Sequence, residues 1–176
     1  MPLRKAAAYS KKHVVPYTRK SKSRKNSFIK NVPHSKLTKM RMGNIKAYQE
    51  GRYPIVLSIK TKENITLRDN AIESVRQFLN RFLFETFGKE YYFEVKVYPH
   101  HILRENKMLT GAGADRMQTG MTKAFGKTMG RAAIVKKEQT LFVIAVSDTK
   151  KEEKARKLIS SIKARLPCAV RVETKK

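Results

Sequence analysis

The sequence predicts an α/β sandwich of the α+β kind: a mixed or antiparallel sheet with two helices on one face, carrying a long basic N-terminal arm and a long central loop. Three observations carry that expectation. Short apolar runs, several of them alternating, recur at 54–60, 91–98, 141–146 and 169–172, and a period of two is what a half-buried strand requires. Between them lie two stretches with apolar residues three and four apart, the period of a helix. Finally, residues 1–49 hold fourteen Lys or Arg and no Asp or Glu, over half of the +26 net charge of this 176-residue chain.

The elements follow in order. Residues 1–35 form the arm, with a Lys/Ser/Arg run at 20–25 and scattered aromatics at Tyr9, Tyr17 and Phe28. It buries too little apolar surface to order itself, so it folds on binding. Residues 36–176 make a single domain, opening with a short strand around Met40-Arg41-Met42. In 54–60, Ile55, Leu57 and Ile59 share one face. Thr66 then reads as a helix cap, with Asp69 near the exposed amides of the first turn. The helix carries Ala71, Val75, Phe78, Leu79 and Phe82 down to Phe87, where Gly88 ends it. The strand at 91–98 turns Phe93, Val95 and Val97 one way and closes at Pro99. After the strand at 141–146, Thr149 and Glu152 read as a capping box for a helix with Ala155, Leu158, Ile159, Ile162 and Leu166 inward. Pro167 stops it before the last strand.

Residues 101–130 lack hydrophobic periodicity and contain five of the glycines, Gly111 and Gly113 among them. Arg104, Lys107, Arg116, Lys123, Lys127 and Arg131 keep the segment basic against Glu105 and Asp115. An irregular stretch of that length in a compact domain is functional or disordered. It reads as a finger for an RNA groove, because glycine allows close backbone approach and Arg or Lys reaches phosphate.

Forty cations exceed what one active site needs. A field of that density repels itself unless polyanions surround it, and neutralising phosphates also releases counterions. The expected RNA contacts in the arm are Arg4, Lys5, Lys11, Lys12, Arg19 and Lys20, then Lys22, Arg24, Lys25 and Lys30. Lys36, Arg41, Lys123 and Lys127 extend the set into the domain.

Other chemistry finds little support. Cys168 is the only cysteine, which excludes an internal disulfide or a Cys-cluster metal site, and it reads as core. No apolar run approaches the roughly 18–20 residues of a membrane span. No secretory core opens the chain, and Pro2, Pro16 and Pro33 interrupt any amphipathic transit helix. Gly126-Lys127-Thr128 imitates the end of a triphosphate loop, but Met121 stands where its first glycine belongs; Gly111-Ala-Gly113 lacks the third glycine of a dinucleotide fingerprint. His13, His34, His100 and His101 read as surface or RNA-stacking residues. Hence no catalytic residue, cofactor or metal is expected, and neither a membrane nor an obligate homo-oligomer. An RNA-modifying enzyme and a departing assembly factor are the rival classes. Turnover of short RNA in isolation would mark the enzyme, and loss before the RNA–protein particle matures would mark the factor.

The run from Arg104-Glu-Asn-Lys-Met-Leu through Gly-Ala-Gly-Ala-Asp-Arg116 to Gly126-Lys127 closely resembles the hallmark segment of a large-subunit ribosomal protein family, called L-ten-e in archaea and eukaryotes, with L-sixteen as its bacterial relative. Pro16-Tyr17-Thr18-Arg19 is similar to that family's arm. Thr110-Gly111 stands where eukaryotic relatives have a serine–cysteine pair, which makes the chain look archaeal, and Ala8-Tyr9-Ser10 lacks the arginine–cysteine run many members show. The resemblance implies a cytoplasmic, non-enzymatic component of the large subunit. Its partners would be large-subunit rRNA beside the aminoacyl-tRNA site, tRNA and neighbouring ribosomal proteins. It further implies that Arg104, Asn106, Lys107, Met108 and Leu109, with Gly111, Gly113, Asp115 and Arg116, form the loop approaching the tRNA acceptor end and the peptidyl transferase centre.

Overall fold

A computed structural model describes Lys25, Ile29 and residues 31–105 and 126–175. Eight strands and three helices appear among them. Their order is β1 (Arg41–Gly43), α1 (Ile45–Gln49), β2 (Ile55–Thr61), β3 (Ile65–Arg68), α2 (Asp69–Phe87), β4 (Tyr92–Val95), β5 (His101–Glu105), β6 (Lys127–Val135), β7 (Thr140–Val146), α3 (Thr149–Ser161) and β8 (Val170–Lys175).

Two antiparallel sheets result. The larger has the order β1-β4-β7-β2-β8 and the smaller β3-β6-β5. In β2, Ile55, Leu57 and Ile59 are buried while their neighbours are half-exposed, the predicted alternation. They lie opposite Val146, Ile144 and Phe142 of β7, and Phe93 and Val95 of β4 continue the same face. A register shift between Ile59 and Lys60 leaves Leu141 without a partner in β2; this lets Leu141 and Phe142, adjacent in sequence, both enter the core. An extra residue in one strand is the usual way to turn neighbouring side chains to one side.

Helices α2 and α3 cover that face. The buried stripe of α2 is Ile72, Val75, Leu79, Leu83 and Phe87. Val75, Leu79 and Phe87 are buried as read, but Ile72 and Leu83 complete the stripe in place of Ala71, Phe78 and Phe82, which are only half-buried; the Phe78 ring lies under the Arg165 guanidinium at 4.5 Å. Gly88 ends α2 at φ +63°, as predicted, and donates its N–H to the Phe84 carbonyl. In α3, Ala155 and Ile159 are buried, and a 3-10 turn at Ile162–Arg165 carries the chain toward Pro167.

Three local readings need correction. Thr66 does not cap α2; it is buried in β3, paired with Ile134, and Arg68 occupies the cap. Thr-x-x-Asp suits a capped helix and a strand entering one equally well. Nor do Thr149 and Glu152 form a capping box: Asp148 precedes the helix, and the Glu152 carboxylate accepts from Arg156 at 2.9 Å and Thr174 at 3.3 Å. Lastly, the segment read as irregular over 101–130 begins and ends as strand. His101–Glu105 pairs with residues 127–132, with a bulge at Leu103/Arg104. Their polar, glycine-bearing composition hides a pairing supplied by tertiary context.

The reverse face of the large sheet is thinner. Short α1, capped by the Asn44 side chain accepting from Ala47 N–H at 3.0 Å, brings Ala47 against Tyr53, Tyr92 and Ala145. Tyr48 stacks on Tyr92 with centroids 4.0 Å apart.

Candidate nucleic-acid interface

The base of the arm and the first residues of the domain are tied down at four points. The Pro33 carbonyl accepts from Arg131 Nε at 2.7 Å, and Lys36 N–H donates to Asp69 Oδ2 at 3.1 Å. Thr38 Oγ1 meets Glu73 Oε1 at 3.5 Å, and the Met40 carbonyl accepts from Val95 N–H at 2.8 Å before β1 joins β4. The chain thus runs along α2 to the small sheet. There Arg131, in β6 opposite Ile102, also donates to the Tyr98 hydroxyl at 3.0 Å.

The same small sheet carries the stem of the central loop. Strands β5 and β6 pair out to Glu105 and Lys127, and the Arg104 guanidinium bonds the Gly126 carbonyl. Burial lowers the Arg104 pKa, with no loss of charge at neutral pH. Arg131 therefore fastens the base of the arm to the strand that closes the loop. From the sequence it counts only as a phosphate-reaching cation; its position immediately after Gly130, the last glycine of the segment, was the available signal. Replacing Arg131 by alanine removes two bonds from a charged donor, each typically worth about 1.5–3 kcal/mol when well desolvated. Since this side chain is only half-buried, a loss near ~1.5 kcal/mol in chemical denaturation is expected, and an unchanged midpoint would rule out the clamp.

Of the other predicted RNA contacts, Lys25, Lys36 and Lys127 are exposed. Arg41 is exposed too, but its Nε pairs with Glu94 at 3.2 Å. Arg4, Lys5, Lys11, Lys12, Arg19, Lys20, Lys22, Arg24, Lys30 and Lys123 lie outside the described residues, as do Asn106, Lys107, Met108, Leu109, Gly111, Gly113, Asp115 and Arg116. Gly126-Lys127-Thr128 enters a strand, not the helix that a triphosphate loop needs.

One basic feature escaped the sequence reading. Lys150, Lys154 and Lys157 are exposed at helical spacings of four and three on the side of α3 away from Ala155 and Ile159. That spacing was visible beside the apolar stripe. No ion pair engages these three lysines among the described residues.

The buried carboxylates are occupied internally. Glu73 takes Arg76 at 2.6 Å and Gln77 at 3.0 Å. Burial raises its pKa, but those bonds outweigh burial and hold the carboxyl below its usual range. Glu94 likewise feels burial first, then Lys96, Tyr92 and Arg41, and also ends low. The partner Tyr92 hydroxyl is pushed up to about 12 by burial and by Glu94. Burial, then Glu63, raises the Cys168 thiol to about 11, so it stays protonated and packs against the core as expected. Among the described residues no three His, Cys, Asp or Glu side chains cluster as metal ligands, and no helix is long and apolar enough to cross a membrane.

His101 departs from the surface role expected of it. It is 8% exposed, with Nδ1 buried and unpartnered among the described residues. Burial, reinforced by His100, lowers its pKa below 6.5. The unfolded chain therefore takes up a proton before the folded one can. Stability is full above about pH 6.5 and declines as pH falls from there toward the folded pKa. The lowered carboxyls of Glu73 and Glu94 add a separate loss below about pH 4.5. His101→Phe is expected to flatten the upper step and leave the lower one, in denaturation midpoints from pH 7 to 3; an unaltered upper step would show that His101 does not cause it.

Comparisons with known proteins identify the family. The family model described as ribosomal protein L16p/L10e matches residues 15–173. The large ribosomal subunit protein uL16 of Staphylothermus marinus is 38% identical over 175 residues, covering 98% of this chain and 93% of its own length. The protein of that name from Hyperthermus butylicus is 40% identical over 152 residues, covering 83% and 79%. A third, from Methanococcus maripaludis strain S2, is 38% identical over 173 residues, covering 98% and 94%. These relatives are ribosomal proteins and not enzymes. The chain belongs to the ribosomal protein L16p/L10e family.

Proposed function

We propose that this chain is a structural constituent of the large ribosomal subunit in the cytoplasm, bound to large-subunit rRNA beside the aminoacyl-tRNA site. Its arm and central loop reach toward the peptidyl transferase centre, where they order RNA and help position tRNA ends. The observation that supports this reading best is the Arg131 clamp, which roots the arm and the stem of the loop at one end of the domain. Two basic segments leaving together suit a crowded RNA junction, where cations relieve repulsion between closely packed strands. Phosphate contacts would fix the register of the protein, and RNA shape would supply selectivity. Neighbouring ribosomal proteins and tRNA are the remaining partners, and no homo-oligomer is required.

Sucrose-gradient sedimentation of cell extract tests this. One copy per large subunit, persisting in translating ribosomes, is the expected result. Departure before the mature subunit forms would favour an assembly factor, and turnover of short RNA by the isolated chain would favour an enzyme.

A further inference from the structure

Three large hydrophobic side chains stand exposed among the described residues, and two of them, Phe84 (55%) and Ile45 (36%), line the same groove. The groove is about 730 Å³ and lies between the start of α1 and the end of α2. That falls in the ~300–1,000 Å³ range typical of sites for small organic groups. Its floor is backbone and fixed. Asn44 N–H donates to the Tyr91 carbonyl at 2.8 Å, and Gly43 packs so closely on that carbonyl that a Cβ there would collide with it. Gly88 completes the wall where α2 ends. Lys46 and Lys89 stand at the rim, both exposed, and among the described residues no carboxylate lines the groove. The acids next in sequence are engaged elsewhere: Glu85 with Arg81 at 2.8 Å and Glu90 with Lys151 at 2.6 Å.

We propose that this groove receives an unpaired nucleobase of large-subunit RNA, stacked on Phe84, with the flanking phosphates met by Lys46 and Lys89. An exposed aromatic face beside unpaired cations, on a floor free of acids, is the chemistry that holds single-stranded RNA. A purely apolar protein segment would leave both lysines unused. The inference rests on the rRNA-binding reading above, and it adds a contact on the domain itself, separate from the arm and the loop.

Ultraviolet crosslinking of large subunits containing the full chain, followed by peptide mass spectrometry, tests it. A nucleotide adduct is expected on the peptide bearing Phe84, and Phe84→Ala should abolish it without changing the melting temperature of the free chain. For the free full chain and a short single-stranded RNA, Phe84→Ala should weaken binding roughly tenfold at unchanged salt slope, as loss of one stacked base does. Lys46→Ala with Lys89→Ala should instead lower the slope by about 1.4. Adducts on arm peptides but none at Phe84 would overturn the groove proposal alone, as would a protein–protein crosslink at Phe84. Absence of nucleotide from every peptide would overturn the RNA-binding reading as well.

Discussion

Replacing Arg4, Lys5, Lys11, Lys12, Arg19, Lys20, Lys22 and Arg24 by alanine should remove most of the salt dependence of RNA binding. Eight cations set on phosphates release counterions in proportion, with a slope near −0.7 to −0.9 per phosphate. For such a set, affinity of the unaltered chain is expected to fall roughly 10³- to 10⁵-fold between 50 and 200 mM salt. The variant should lose far less over that range, and start weaker. Its fold should survive, because the described residues from Ile29 onward already form a closed hydrophobic core. Filter binding or fluorescence titration against a large-subunit rRNA fragment at several salt concentrations checks this. Equal slopes for the two proteins would mean that the arm meets no phosphates.

The second large effect is expected from shortening the central loop by removing residues 107–116 and rejoining the ends with a short Gly/Ser link. The stem should persist, since Arg104 with Thr128 and Glu105 with Lys127 close it from below. Halving a connection of this length changes its closure entropy by only about 0.6 kcal/mol, so folding and rRNA binding by the domain are spared. Translation is not. If the loop helps place the acceptor end of tRNA, losing it misorients a reacting group, and errors of that kind cost one to two orders of magnitude in rate. Subunits carrying the shortened protein should therefore assemble yet elongate about tenfold more slowly in a reconstituted translation assay. Elongation at the normal rate would remove tRNA positioning from the proposed function.

Legibility in the sequence followed the strength of local patterning. Strand β2 was plain because Ile55, Leu57 and Ile59 alternate with residues that face less deeply buried surroundings. Strand β7 was plain for the opposite reason, being apolar on both sides: Phe142 and Ile144 face the helices, while Ala145 faces Tyr92 and Tyr53. The end of α2 was fixed by Gly88, which adopts a backbone angle that other residues avoid. What failed were elements created by distant partners. Strand β5 and the 127–130 half of β6 exist because each finds the other across more than twenty residues; nothing local in Lys-Thr-Met-Gly signals a strand, whereas the apolar run Ala132 to Val135 that ends β6 does. Glu152 was misassigned because its partners Arg156 and Thr174 lie one turn on and across the fold. For the interface, charge revealed which segments are cationic, but a count of cations does not distinguish a clamp such as Arg131 from an exposed cation such as Lys127. The groove at Phe84 was hidden by the helical stripe itself, since an exposed aromatic and a buried one look alike until the helix is rotated into place.

High-resolution density for the large ribosomal subunit bears most directly on why so basic a chain exists. The small sheet is expected at the edge of an RNA junction, with Arg131 on Pro33 and both basic extensions passing among nucleotides toward the site of the tRNA acceptor end. Density showing either extension wrapped on the protein's own surface, out of reach of RNA, would contradict that expectation.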